Sequence, residues 1–141
     1  MELNQENNLV RLCGTMAGAP RYSHNAGGQD FCCFPLEVER LSGSLDTLNI
    51  VVRQSQLAAV ELEDRARLRI TGELRSYNNR RGEGARLVLT VLAREICFTD
   101  EPDDNFVSLT GTLCKAPNAR VTPLGRDICD LLLAVNRRGG R

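Results

Sequence analysis

Four arginines and one tyrosine lie in or beside the polar stretch 76–84, which reads SYNNRRGEG. They are Arg75, Tyr77, Arg80, Arg81 and Arg86, and only Glu83 opposes them, so the local charge is +3. Guanidinium groups bind phosphates in a bidentate manner, and a flat ring can stack on a nucleobase. This combination is typical of a loop that binds single-stranded nucleic acid. A solvated loop with an incidental tyrosine is the alternative.

The chain as a whole has no net charge, with 18 basic and 18 acidic residues, and nearly all of the basic residues are arginine. The charge is unevenly distributed: −2 over residues 1–7, +2 over residues 8–98, −4 over residues 99–104 and +4 over residues 105–141. A neutral total excludes a globally basic protein but not local basic surfaces. The hydrophobic fraction of 42% is too high for a disordered chain.

Other kinds of site have little support in the sequence. The six cysteines include no C-x-x-C pair and His24 is the only histidine, so we expect no structural zinc and reduced thiols packed as small hydrophobic groups. A nucleophilic pair of His24 with Cys32 or Cys33 would have no third group to orient it. We therefore expect no enzymatic activity and no cofactor.

No segment is long enough to cross a membrane and the N-terminus does not resemble a secretory signal, so the expected location is the cytoplasm, with the nucleoid.

The sequence repeats itself at an offset of 97 residues. Residues 8–43 and 105–140 align without a gap, and 14 of the 36 positions are identical, including glycines and a proline at matching turns. This pattern indicates a duplication. The first copy continues to residue 98, whereas the second stops one residue after its matching glycine. The expected organisation is a complete domain over 1–98, an acidic linker over 99–104 and the first two strands of a second repeat over 105–141. A trimmed form of a longer protein is the favoured interpretation, and the alternative is that the missing strands come from elsewhere.

Alternation of apolar and polar residues predicts the secondary structure of the first copy. Five strands are predicted, over residues 8–16, 30–41, 48–53, 66–75 and 85–98. Residues 17–29, rich in Gly, Pro and Asn, are predicted to form a loop, and residues 55–62 a helix capped by Ser55. The fold class expected from this order is all-β, a five-stranded OB-fold barrel with one short helix between strands 3 and 4.

The second predicted strand, over residues 30–41, has an apolar side that is expected to be buried and a polar side. Phe34 lies on the apolar side with Leu36 and Val38, and is expected in the core. Phe31 points the other way, and both core packing and base stacking remain open for it. His24 is expected to be an exposed loop residue.

The motifs and their order resemble the bacterial single-stranded DNA-binding protein, in particular the tandem two-OB variety of Firmicutes. The first copy has N-x-V-x-L-x-G-T at 8–15, G-x-D-F at 28–31 and I-T-G-E-L-R-S-Y at 70–77. The second copy has K-A-P at 115–117, T-P-L-G-R at 122–126 and L-L-L-A-V-N-R at 131–137. The resemblance covers about 130 of the 141 residues.

The resemblance implies a protein that binds single-stranded DNA largely independently of sequence, in replication, repair or recombination. It also implies a homodimer or pseudo-tetramer of OB domains, with replication or repair proteins as further partners. In the family, one barrel face and the loop between strands 4 and 5 contact DNA. With Arg86 added from the local charge, the expected DNA contacts are Arg53, Arg75, Tyr77, Arg80, Arg81, Arg86, Arg40, Tyr22 and Arg137.

The chain departs from the family in having no tryptophan, the residue on which the family usually stacks bases. Stacking would then depend on Tyr77, Tyr22 and arginine planes, which predicts weaker and more salt-sensitive binding. The alternative function is an OB-fold protein-interaction or assembly module, such as a primosome-like accessory factor, with weak or no DNA binding.

Overall fold

The structure is a computed structural model that describes residues 7–58, 63, 65–79 and 86–137. Its elements in chain order are β1 (Asn8–Met16), β2 (Arg21–Ala26), β3 (Gln29–Glu39), β4 (Leu45–Arg53), α1 (Gln54–Ala58), β5 (Arg67–Asn79), β6 (Arg86–Phe98), β7 (Asp104–Leu109), β8 (Thr112–Leu113), β9 (Asn118–Val121), β10 (Asp127–Asp130) and β11 (Leu133–Ala134). The described chain divides into two compact units, residues 9–107 and residues 7–8 with 108–137.

Five strands of the first unit close into a ring. β3 pairs antiparallel with β4, β4 runs parallel to β6, and β6 and β1 both pair antiparallel with β5. The ring closes where β1 returns to β3, through the pairs Thr15–Glu37 and Met16–Leu36. β2 extends the sheet beyond β3, and β7 extends it beyond β1. This topology, with α1 following β4, confirms the predicted OB-fold barrel.

Alternate residues of the ring strands fill the barrel, as the sequence pattern predicts. Phe34 is 2% exposed and packs with Leu36, Val38 and the apolar residues of the other four strands. Gly14 allows β1 to approach β3 closely, since a Cβ at this position would lie 2.4 Å from the carbonyl oxygen of Glu37. The small residue is therefore needed where the ring closes.

Several local predictions differ from the structure. The predicted loop over residues 76–84 is wrong for residues 76–79, which continue β5, so Tyr77 lies on a strand. The loop predicted over residues 17–29 is wrong, because it contains β2, which pairs with the first half of β3. All six residues of β2 are exposed, so the strand has no apolar alternation to reveal it. The helix begins at Gln54 rather than Ser55, and residues 59–62 of the prediction lie outside the described residues.

The cysteines do not all pack in the core. Cys13 and Cys32 are buried and Cys33 is half-buried, in agreement with the prediction. The prediction is wrong for the exposed cysteines, which are Cys97, Cys114 and Cys129. Cys129 is equivalent to the buried Cys32 in the repeat. It is exposed because the described part of the second copy has no counterpart of β4, β5 and β6, the strands that complete the barrel in the first copy.

The second unit has the strand pairings of the first copy, shifted by 97 residues. β8 and β11 pair in the register of β1 and β3, and β9 and β10 pair in the register of β2 and β3 over their first two pairs. Gly111 lies against the carbonyl of Ala134, as Gly14 lies against that of Glu37. The duplicated sequence therefore forms duplicated backbone contacts.

Several apolar positions of this second copy are exposed. Leu109 is 36% exposed, whereas Leu12, its counterpart, is 1% exposed. Leu131 is 61% exposed at the position equivalent to Phe34. In the first unit β4, β5 and β6 complete the barrel around these positions, and the described part of the second unit has no counterpart of those strands.

Candidate nucleic-acid interface

The outer face of the barrel consists of the side chains that alternate with core residues on β3, β4, β6 and β5. Side chains paired across neighbouring strands point to the same side of a sheet. The registers therefore place the following residues together: Phe31, Cys33, Val51, Arg53, Thr90, Leu92, Glu73, Arg75 and Tyr77. We call this set the outer face.

The two ends of the outer face lie at opposite corners. Val51, Leu92 and Glu73 form one row across β4, β6 and β5. Arg53 is two residues beyond this row and Tyr77 is four residues beyond it in the opposite direction, because β5 runs antiparallel to β4 and β6. At about 3.3 Å per residue and 4.8 Å per strand, the Cα atoms of Arg53 and Tyr77 are about 22 Å apart.

Arg53 provides a free cation at the first corner. It is exposed, pairs across the sheet with Phe31, and ends β4 where α1 begins. Its backbone N–H donates to Oε1 of Gln56 at 3.3 Å, and Nε2 of Gln56 donates to the carbonyl of Arg94 at 2.7 Å, which ties the strand end to β6. Among the described residues the Arg53 guanidinium has no acidic partner within ion-pair distance. It is therefore free to bind a phosphate.

Arg75 and Tyr77 occupy the second corner. Nε of Arg75 donates to Oε1 of Glu73 at 2.9 Å, and Arg94 lies on the other side of the same carboxylate, at 4.0 Å. Glu73 is buried, so it neutralises part of the arginine charge in a partly desolvated position. Tyr77 is 55% exposed and leaves much of its ring open to stacking.

Phe31 and His24 form a stacked pair of rings beside Arg53. Their centroids are 4.9 Å apart and their planes differ by 8°. A bulge between Tyr22 and His24 brings His24, rather than Ser23, opposite Phe31. The sequence does not decide whether Phe31 packs in the core or lies at the surface, and the structure places it on the outer face. His24 lies on a strand rather than in a loop, and no pattern in the sequence indicates its contact with Phe31.

Tyr22 and Arg40 are separated from this cluster. Tyr22 is exposed, but it pairs with the core residue Cys32 and so lies on the opposite side of the hairpin from Phe31. Arg40 follows the far end of β3, about 30 Å along the strand from Phe31. Its Nε and NH2 atoms donate to both carboxylate oxygens of Asp46, at 2.8 and 2.6 Å. These hydrogen bonds hold the pKa of Asp46 below its usual range.

The structure does not place the remaining predicted DNA-binding residues on the outer face. Arg80 and Arg81 lie outside the described residues. Arg86 begins β6, and its side chain lies outside the described part of the chain. Arg137 is exposed and belongs to the second unit.

Two other arginines of the first unit are occupied by the acidic segment between β6 and β7. Arg67 forms an ion pair with the carboxylate of Asp103, and its NH2 donates to the carbonyl of Glu101 at 2.5 Å. Arg69 lies 3.6 Å from the carboxylate of Glu101. Burial raises the pKa of the nearby Cys13 thiol, and the Glu101 charge raises it further. The acidic segment thus neutralises this part of the barrel, unlike the Arg53 corner.

The described residues contain no cluster of three metal-ligating side chains. No helix in the same residues has the length and apolar character needed to cross a membrane.

Comparison with known proteins identifies the family to which this chain belongs. No family model matches the chain, and neither does any curated protein. Among solved structures, the dimeric N-terminal domain of PriB protein from Thermoanaerobacter tencongensis is 41% identical, over 68% of this chain and 100% of that chain, with a TM-score of 0.58. The chain belongs to the family of PriB and bacterial single-stranded DNA-binding proteins.

Other solved members of this family have the same fold. The wild-type single-stranded DNA-binding protein from Thermus aquaticus is 25% identical, over 93% of this chain and 69% of that chain, with a TM-score of 0.75. The small single-stranded DNA-binding protein from Streptomyces coelicolor, 14% identical over 68% of this chain and 97% of that chain, shares the fold with a TM-score of 0.53. The family resemblance stated from the sequence is confirmed.

Proposed function

We propose that this protein binds single-stranded DNA largely independently of sequence and has no enzymatic activity. The observation that carries the proposal is the outer face together with the ring of His24 that stacks on it: Arg53 has no acidic partner among the described residues, and the rings of His24 and Tyr77 are exposed. Cations that follow the phosphates, together with flat rings on which bases stack, are the requirements for sequence-tolerant binding of a single strand. The related protein from Thermus aquaticus, 25% identical to this chain, is a single-stranded DNA-binding protein, which supports the same function.

The strand would cross the outer face diagonally, from Arg53 towards Arg75 and Tyr77. Arg80, Arg81 and Arg86 follow Tyr77 in the chain and are proposed as contacts that continue this path. The other end of β3 carries Glu37, which pairs with Arg65, and the exposed Glu39, whose charge would repel phosphates. Charge therefore favours the Arg53 corner over the region around Arg40, which is a weaker proposed contact, as are Tyr22 and Arg137.

Titration of oligo-dT and of a duplex of equal length tests this function. We expect tight binding of the single strand at 50 mM salt, weaker binding at 200 mM salt and a clear preference over the duplex. The salt effect follows from the release of counter-ions by each phosphate that the protein neutralises. Absence of binding at low salt, or binding of the duplex with equal affinity, would contradict the proposal.

A protein-assembly module related to PriB is the second candidate. The 41% identity to the PriB domain and the lack of tryptophan favour it. Replacing Arg80 and Arg81 by Ala discriminates between the two functions. Loss of DNA affinity supports DNA binding, whereas unchanged DNA affinity with altered oligomerisation supports the assembly module.

We further propose self-association and a location in the cytoplasm with the nucleoid, where replication and repair proteins would be partners. The related PriB domain is dimeric, which supports a homodimer, and the duplicated register supports a second OB repeat after the first. The proposed organisation is an OB domain over 1–98, a linker over 99–104 and a second repeat from residue 105. Sedimentation velocity tests the assembly, and a monomer across the micromolar range would contradict it.

A further inference from the structure

We infer that the stacked rings of His24 and Phe31 form a base-binding platform, on which a DNA base stacks against the imidazole while an adjacent phosphate contacts Arg53. The inference rests on the proposed function and names a contact site that the sequence resemblance does not supply. It assigns stacking to two residues outside the expected set of contacts.

The rings are already arranged for stacking. Their planes are within 8° of parallel at a centroid distance of 4.9 Å, the spacing of an offset stack. Phe31 is half-buried and has His24 on one side and Arg53 on the other, in cross-strand register. A base that stacks on His24 extends the existing stack of His24 and Phe31. Binding therefore orders fewer side chains than it would if these rings were mobile.

The outer side of the imidazole is open. His24 is exposed, and β2 is the edge of its sheet, so no further described strand lies beyond it. The hydroxyl of Ser23 lies 2.9 Å from Nδ1 of His24, which fixes one ring nitrogen. Nε2 has no partner among the described residues, and it can exchange a hydrogen bond with a base or a phosphate.

The hairpin that carries His24 is held in place by its own contacts. Nδ2 of Asn25 donates to Oδ1 of Asp30 at 2.9 Å, directly across the two strands. Gly27 and Gly28 adopt φ values of 60° and 79°, which form the tight turn between β2 and β3. The platform is therefore supported by a short connection and a side-chain hydrogen bond.

The second copy forms the equivalent hairpin without a platform. Val121 stands in place of His24 and Ile128 in place of Phe31. The bulge is absent and these two residues are not opposite each other, since Ile128 pairs with Arg120 and Val121 pairs with Asp127. The bulge and the ring pair thus occur together in the first copy and are both absent from the described second copy, which supports a role for the rings beyond the pairing of the two strands.

The double variant His24→Val/Phe31→Ile tests the platform, because it removes both rings and introduces the β-branched residues that the second copy has at these two positions. Its affinity is measured for oligo-dT and for an abasic oligonucleotide of the same length and charge. We expect the wild-type protein to prefer oligo-dT and the variant to lose this preference by about fivefold or more, with unchanged affinity for the abasic strand. The single variant His24→Val, at an exposed position, is expected to lose part of it.

Phe98→Val is the matched control, since it removes a ring that is 54% exposed at the end of β6 and belongs neither to the outer face nor to the proposed contacts. It is expected to leave both affinities unchanged. The inference is overturned if the double variant binds both strands as the wild type does, if it loses affinity for both equally while melting normally, or if Phe98→Val removes the preference instead. Failure of the wild-type protein to bind any single strand would refute the proposed function itself.

Discussion

Replacing Arg53 by Gln removes a positive charge whose role can be derived from the structure. The guanidinium is exposed and has no acidic partner within the described residues, so the change leaves no carboxylate unpaired there. The hydrogen bond to Gln56 is donated by the Arg53 backbone and remains. We therefore expect DNA binding to weaken and the melting temperature to stay within about a degree or two, as for surface substitutions in general.

The size of the effect follows from counter-ion release. One lost contact with a single-stranded phosphate reduces the slope of log K against log salt by about 0.7. Relative to 1 M salt, this corresponds to about eightfold weaker binding at 50 mM and about threefold at 200 mM. The two ratios differ because each released counter-ion contributes less as the salt concentration rises.

Fluorescence anisotropy with labelled oligo-dT at four salt concentrations measures the slope. Arg40→Gln is the matched control: it makes the same change in net charge, but Arg40 is already bound to Asp46 and lies about 30 Å along β3 from Phe31. The reasoning is refuted if Arg53→Gln leaves the slope unchanged. It is also refuted if Arg40→Gln lowers the slope equally, because net charge alone would then explain the effect.

Three further predictions concern the barrel. Gly14→Ala should lower the free energy of unfolding in urea by about 1–3 kcal/mol, since its Cβ would meet the Glu37 carbonyl oxygen, and a change below about 0.5 kcal/mol would contradict this close contact. Because the pKa of Asp46 is lowered by Arg40, the stabilisation is present above about pH 4 and is lost as the pH falls through the lowered pKa, so Asp46→Asn should destabilise more at pH 7 than at pH 2; equal destabilisation at both would refute it. Because burial raises the pKa of Cys13, iodoacetamide at pH 8 should modify this thiol more slowly than the exposed cysteines, as mass spectrometry can determine.

The sequence predicts the elements that have one buried and one exposed side. Residues such as Phe34 and Leu36 alternate with polar neighbours, so β3 and its partners in the barrel can be recognised. β2 could not be predicted in this way, because it is an edge strand without a buried side. Its contribution comes from pairing with β3, which depends on a hairpin turn and on non-local closure of the barrel.

The candidate site is less predictable than the fold, because its geometry depends on irregularities. The bulge after Tyr22 determines that His24 stacks on Phe31, and a shift of one residue would place Ser23 there instead. The ion pair of Arg40 with Asp46 likewise depends on the turn between β3 and β4. Residue type and local charge identified Tyr77 as a candidate and the family resemblance identified Arg53, but only the strand registers show that the two lie at opposite corners.

Photo-cross-linking tests the central claim, that single-stranded DNA crosses the outer face, most directly. An oligo-dT in which 5-iododeoxyuridine replaces thymidine is irradiated with the protein, and the cross-linked peptides are identified by mass spectrometry. We predict cross-links at His24 or Phe31 and at Tyr77, the rings of the two corners. Cross-links confined to Tyr22 or to residues 108–137, with none on the outer face, would contradict it.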